Sequence, residues 1–397
     1  MTIEAIETLR LEEFPNLIWV LVEDDEGVKG LGETFFGAAA VEAYIHESMA
    51  PLLLGFCGAP EPTRRRVLPY VGPAGAGVET RASSSIDLAL WDLRGKRADR
   101  PVWDLLGGRC RESVRAYNTC AGSRYVRGVQ GQRSANWGIG NEDGRYEDLD
   151  AFLSDAGALA EDLLSEGISA MKIWPFDRYA EENGGQWISP DQLAEGIEPF
   201  RKIRAAVGDR IQIMLEMHGL WSAPAAVDIA RALAPYDIYW IEDPIPLDGF
   251  GALADLRRLV PQKITASETL AGRTRFMDLM AAKAVDIVML DLGWCGGLTE
   301  AKAIAAIAEA HCLPIAPHDC TGPVVFAASC HLSTHAPNAL IQERVRAFHC
   351  GWYREVADGL PIYRDGFLAP GAGSGFGIEM KPEVFSRPDV IRRRTAL

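Results

Sequence analysis

Ile238-Tyr239-Trp240-Ile241-Glu242-Asp243-Pro244 is an apolar run that stops at two acids and a proline. Its length suits a strand buried on both faces, and the proline, lacking an N–H, ends it. The same pattern recurs in both directions. Val114–Thr119, Ala170–Trp174 and Ile211–His218 precede it, and Lys263–Glu268, Ile287–Leu292, Pro314–His318 and Ala339–Arg344 follow, making eight candidate strands with helical stretches between. From the third onward each carries a charged or titratable residue near its end. Glu216, Glu242, Glu268, Asp291, His318 and Glu343 fall 23 to 27 residues apart. One strand, one helix and two short loops need about that many residues, so the spacing predicts an α/β protein built on a β/α barrel.

The chain ahead of the barrel has a different rhythm. Ile3–Leu11 alternates, Leu17–Glu23 is rich in Leu, Ile, Val and Trp, and the turn Asp24-Asp25-Glu26-Gly27 leads to Val28–Thr34. Helical patterns follow over Ala38–Ala50, Pro62–Tyr70 and Thr80–Arg97. The expected organisation is an α+β domain over residues 1–112, the barrel over 113–350 and a tail over 351–397. In the tail, Gly359–Tyr363 and Gly371–Met380 are expected as loop and strand returning to the first domain. Two insertions, Cys120–Asp150 and Pro175–Pro190, follow the first and second barrel strands, on the face where barrel active sites lie.

Composition narrows the function. The 397 residues carry 40 Lys and Arg against 55 Asp and Glu, a formal charge of −15. That balance argues against nucleic acid or an anionic membrane as partner, since phosphate binding needs clustered cations. A small anionic substrate stays open, because a metal or a few local cations invert the field in a cleft. The start of the sequence has no basic, apolar secretory pattern, and no run of about 18 apolar residues suggests a membrane span. Eight cysteines, none in a CxxC pair, fit reduced thiols. A soluble cytoplasmic protein is expected.

Three strand-end carboxylates, Glu216, Glu242 and Glu268, stand on three neighbouring strands and converge on one point. Left unpaired they would repel and raise each other's pKa. A hard divalent cation, Mg2+ above others, resolves this, so they are read as metal ligands. Asp291 and His318 end the next two strands; an Asp orienting one ring nitrogen leaves the other as a general base. Glu343 points into the same mouth, to donate a hydrogen bond if protonated or to pair with Arg344. Lys172 supplies the cation that the charge balance of three ligands, a dication and an enediolate requires, and Trp174 shares its face. His218 shares the parity of Glu216 and is read as a general acid or a further ligand.

Several segments resemble the enolase superfamily, mandelate racemase subgroup. They are Ser85–Lys96, Leu105-Leu106-Gly107-Gly108, Trp240–Pro244, Gly296-Gly297 and Gly373–Met380. The resemblance spans essentially the whole chain. It implies a modified (β/α)7β barrel, closed by an α+β capping domain made of the N-terminal region and C-terminal tail. It also implies Mg2+ and abstraction of the proton α to a carboxylate through an enediolate. Residue by residue it implies Glu216, Glu242 and Glu268 as ligands, the His318–Asp291 base, Lys172 as the first lysine of a Lys-x-Lys motif, and Glu343 as the electrophilic carboxyl.

The second lysine of that motif, the opposite-face base of racemases, is Trp174 here, and the first ligand, commonly Asp, is Glu216. Racemisation wants a base on each face of the α-carbon, whereas dehydration uses one base and a leaving-group acid. His218 stands where galactonate-dehydratase-like members carry their acid histidine. The expected function is therefore dehydration of a sugar acid, an aldonate or aldarate, to a 2-keto-3-deoxy acid. An epimerase, racemase or cycloisomerase using Lys172 as second base is the alternative, and a non-catalytic sugar-acid sensor a further one. Phe35 and Phe36 of the first domain, with Trp174 and Arg124 and Tyr125 of the first insertion, are expected to select the substrate; the insertion is a lid or an oligomer contact. The resemblance also implies a homo-oligomer.

Overall fold

The computed structural model describes residues 1–67, 77–140 and 145–397. Strands β1 (Ile3–Leu11), β2 (Leu17–Asp24) and β3 (Lys29–Phe35) form an antiparallel sheet, to which the C-terminal strand Val390–Ala396 adds beside β1. Helix Val78–Ala98 lies on this sheet. Ile6, Val20 and Val22 meet Ile86, Leu90 and Leu93 in one apolar core, each such burial contributing about 1.5–3 kcal/mol. Gly30 and Gly32 permit the close approach, because a Cβ at either would run into the carbonyl oxygens of Ala89 and Ser85. The helix expected over Pro62–Tyr70 is seen as Pro60–Val67; residues 68–70, and 141–144 of the first insertion, lie outside the described residues.

Eight parallel strands follow: β4 (Val114–Thr119), β5 (Ala170–Ile173), β6 (Gln212–Glu216), β7 (Ile238–Glu242), β8 (Lys263–Ala266), β9 (Ile287–Leu290), β10 (Ile315–Pro317) and β11 (Gln342–Arg344). Each pairs with the next from β4 to β10, β11 pairs with β4, and a bridge from Ile315 to Ala339 closes the ring. Helices occupy the seven crossovers, so the barrel is (β/α)7β. Inside it, Tyr117, Ala170, Met214, Trp240, Met289, Ala316 and Ile341 form a packed layer. Side chains alternate along a strand, so the residue two positions on from each points to the same interior, one layer higher. Those residues are Thr119, Lys172, Glu216, Glu242, Asp291, His318 and Glu343. The alternation that packs the core thus raises one polar ring above it.

The tail divides rather than returning whole to the first domain. A hairpin, Ile362–Arg364 with Phe367–Ala369, pairs on β4, where Leu368 lies opposite Val114 and is fully buried. The tail meets the first domain ahead of the hairpin, where Trp352 lies 4.5 Å from Phe14 between ring centres, and again beyond it, through Val102 N donating to Gly375 O at 2.9 Å and the strand beside β1.

Segment Ser85–Lys96 joins these parts. Asp87 accepts from Thr299 N (2.9 Å) and Thr299 Oγ1 (2.5 Å) on the helix after β9. Asp92 accepts from Leu31 N (2.9 Å) and from Phe376 N (2.8 Å) in the tail. Glu33, at the end of β3, accepts from Val324 N and Val325 N at 3.1 and 3.0 Å, where helix Pro323–His335 begins. Burial outweighs those amides and pushes Glu33 up to about 8. Its folded pKa thus lies above the ordinary 4.5, so stability falls as pH rises through the window between the two, where only the unfolded chain releases the proton. Glu33→Gln removes that loss. Its stability relative to the parent, read from urea midpoints, is expected to improve from pH 5 to pH 8 by a few kcal/mol (about 1.4 per pKa unit); a difference independent of pH would refute this.

Among the described residues no helix is long and apolar enough to cross a membrane. All eight cysteines are free.

Candidate active site

The polar ring lies at the carboxyl ends of the strands, beneath the end of β3. Phe35 and Phe36 reach it because Thr34 Oγ1 donates to Gly293 O (2.7 Å) and Trp294 Nε1 to Phe35 O (3.0 Å). At its centre Lys172, 2% exposed, contacts three carboxylates: Glu242 at 2.8 Å, Glu343 at 3.1 Å and Glu216 at 3.3 Å. These partners hold its pKa well above the ordinary lysine value despite burial.

Glu216, Glu242 and Glu268 are all buried, with ligand atoms within 4.8 Å of one another. Glu216 Oε1 accepts from the amides of Met217 (2.9 Å) and His218 (2.7 Å), and Glu242 Oε2 from Trp240 Nε1 at 3.1 Å. Burial opposes ionisation of Glu216, but His218 and Lys172 outweigh it and bring it to about 2. Burial and the charge of Glu216 push Glu242 well up. Three buried carboxylates converging as an all-oxygen donor set suit a hard divalent cation. These three residues could hold such an ion.

His318 and Asp291 meet as the sequence suggested, with Nδ1 2.7 Å from Asp291 Oδ2 and Nε2 3.1 Å from Glu268 Oε2. Asp291 Oδ1 takes Gly293 N at 2.6 Å, which fixes the carboxylate. Burial alone would lower the imidazole pKa; Glu268, Glu343 and Asp291 raise it to about 10. Glu343 does not pair with Arg344. It accepts from Thr119 Oγ1 and from Asp319 N (2.8 Å), and Lys172 draws its pKa down against burial.

His218 reaches the mouth for a reason other than strand parity. β6 ends at Glu216, and His218 lies beyond it at φ 48°, a left-handed conformation. The two insertions aim its ring: Asp177 Oδ2 stands 2.5 Å from Nδ1, and the Gln132 amide 2.8 Å from Nε2, where a protonated ring requires the amide oxygen to face it. Burial lowers its pKa, but Asp177 and Glu216 lift it to about 9. The sequence reading missed Asp177 and Gln132. Their signal was confined to their being polar residues in insertions on the active-site face. Asp243, directly after Glu242, was also missed; it accepts from Ser267 Oγ at 2.9 Å, and burial pushes it well up.

One pocket gathers Lys172, Glu216, Glu268, His218 and His318. Phe35, Phe36, Tyr125 and Trp174 form part of its wall, with Trp174 packed against Tyr125 and Phe152 at 5.3 Å between ring centres. Arg124 does not line this pocket; it is exposed, its Cβ against Gly138.

Fold and site together define a capped β/α-barrel enzyme with an acidic cluster suited to a cation. The chain belongs to the enolase superfamily, mandelate racemase subgroup: residues 155–384 match the enolase C-terminal domain-like family, and residues 9–107 match the mandelate racemase/muconate lactonizing enzyme N-terminal domain. It is 30% identical over 396 residues to the D-galactonate dehydratase of Ralstonia nicotianae, covering 96% of this chain and 92% of that protein. The crystal structure of an enolase of the mandelate racemase subgroup from Agrobacterium tumefaciens matches with a TM-score of 0.88 at 44% identity, over 100% of this chain and 99% of that one. An enolase protein from the environmental genome sequencing of the Sargasso Sea has a TM-score of 0.89 at 44% identity, with the same coverage.

Proposed function

We propose that this protein dehydrates a sugar acid to its 2-keto-3-deoxy acid, with Mg2+ bound by Glu216, Glu242 and Glu268. The observation that carries the reading is a pair of imidazoles, each held through Nδ1 by an aspartate, facing one pocket from β6 and β10. Four strands apart in a ring of eight, these stand on opposite sides of the barrel mouth. A bound Mg2+ would supply Lewis-acid stabilisation of the substrate carboxylate.

With Glu268, the chief group raising the imidazole pKa, committed to the cation, His318 would be neutral at Nε2 and so removes the proton from C2, and Asp291 stabilises the imidazolium that results. Lys172 lies beside the developing negative charge, and Glu343 holds Lys172 in place. His218, kept protonated by Asp177, delivers a proton from Nε2 to the departing 3-hydroxyl, so that water leaves and the enol tautomerises to the ketone. Trp174 offers no base on the second face. The aromatic wall excludes water, which strengthens each of these electrostatic contacts.

The test is a panel of hexonates, pentonates and aldarates incubated with the Mg2+-loaded protein in D2O. Formation of a 2-keto-3-deoxy product is expected. Deuterium entering recovered acid at C2 without loss of water would instead establish an epimerase or racemase.

A further inference from the structure

A cleft opens outward from the pocket and shares Phe36, Gln132, His218, Glu268 and Trp294 with it, so one opening serves both. Besides Glu268, three acids border the cleft, and each has an oxygen engaged. Asp177 Oδ2 holds His218, Glu181 accepts from Ser134 N at 2.8 Å, and Asp243 Oδ2 accepts from Ser267 Oγ at 2.9 Å, while Oδ1 of Asp177 and of Asp243 is buried without a hydrogen-bond partner. The two arginines of the cleft are not engaged in this way. Arg81, in the first turn of the cap helix Val78–Ala98, has its Nε buried without a hydrogen-bond partner. Neither Arg81 nor Arg133, of the first insertion, pairs with a carboxylate among the described residues.

Arg81 is nonetheless held in place. Its guanidinium carbon lies 5.9 Å from the Phe36 ring centre and 5.7 Å from that of Trp294. Trp294 in turn lies 5.4 Å from the His318 ring, so a single indole separates this cation from the imidazole assigned as base. Half-desolvated N–H groups are unfavourable until an acceptor arrives, and a planar guanidinium fork matches a carboxylate with two parallel hydrogen bonds.

We propose that Arg81, assisted by Arg133, is an anion subsite for a second carboxylate at the far end of the substrate. The preferred substrates are then diacids, aldarates, rather than aldonates. This rests on the dehydration reading, whose own failure is separately visible in the test.

The experiment compares kcat/KM for hexarates and hexonates of matched configuration in the Mg2+-loaded wild type, Arg81→Met and Arg81→Lys. It adds the melting shift that each acid induces as a measure independent of turnover. The wild type is expected to favour hexarates. Arg81→Met should reduce that preference about 10- to 100-fold, the range of a charge-assisted hydrogen bond, and Arg81→Lys should retain part of it. An unchanged preference in Arg81→Met, or a wild type that favours hexonates or a terminally phosphorylated hexonate, overturns the carboxylate subsite and leaves dehydration standing. If no acid is dehydrated, the function reading fails. The subsite then survives only if hexarates still stabilise the wild type more than Arg81→Met.

Discussion

His318→Asn is expected to lower kcat on the Mg2+-loaded protein by about 10³- to 10⁴-fold while the protein still melts as a folded unit. A positioned general base contributes roughly 10²–10⁴, and the upper part of that range follows from how completely this base is built. Asp291 is fully buried and has both oxygens engaged, by His318 Nδ1 at 2.7 Å and Gly293 N at 2.6 Å. The imidazole therefore has one orientation and, when neutral, one tautomer, with its proton on Nδ1 facing Asp291. Asparagine preserves the contact to Asp291 through its amide but has no group that accepts a proton. The measurement is 2-keto-3-deoxy product formation alongside exchange of the C2 hydrogen with D2O, both of which should be lost together. Loss of dehydration with exchange intact would show that His318 acts after proton removal. Unchanged turnover would show that it is not the base.

The barrel and its polar ring were legible in the sequence because two periodicities coincide. The repeat of 23 to 27 residues announces strand, loop, helix and loop, while the alternation along each strand places Glu216 above Met214 and Glu242 above Trp240. Neither periodicity extends into the loops. His218 shares the parity of Glu216, yet the strand has ended before it, and Asp177 and Gln132 set its direction. Those partners come from separate insertions whose juxtaposition no local pattern encodes. The same limit separates Tyr125, which lines the pocket, from its neighbour Arg124, which does not. The tail hairpin pairs on β4, with Leu368 buried opposite Val114, a long-range contact that no local pattern in the tail encodes.

Lys172→Met is expected to separate stability from activity. Removing one partner of a buried ion pair costs about 3–5 kcal/mol, because the remaining charge loses its compensation without regaining water. Here one ammonium answers Glu216, Glu242 and Glu343 at 2.8 to 3.3 Å, so the metal-free variant should melt several degrees below its parent in the presence of a chelator. Methionine fills nearly the same volume, which keeps a packing defect small. Saturating Mg2+ should then stabilise the variant more than it stabilises the parent, since a dication among Glu216, Glu242 and Glu268 returns positive charge to the cluster. Activity should not return with stability. Proton abstraction builds negative charge on the substrate carboxylate, and the metal adds to Lys172 there rather than replacing it, so kcat should stay about 10²-fold or more below that of the parent. Calorimetry with chelator and with Mg2+, read beside product formation, tests both halves. A variant that melts with its parent under chelation would show that the cluster is already protonated. One that recovers turnover with Mg2+ would confine Lys172 to neutralising the carboxylates.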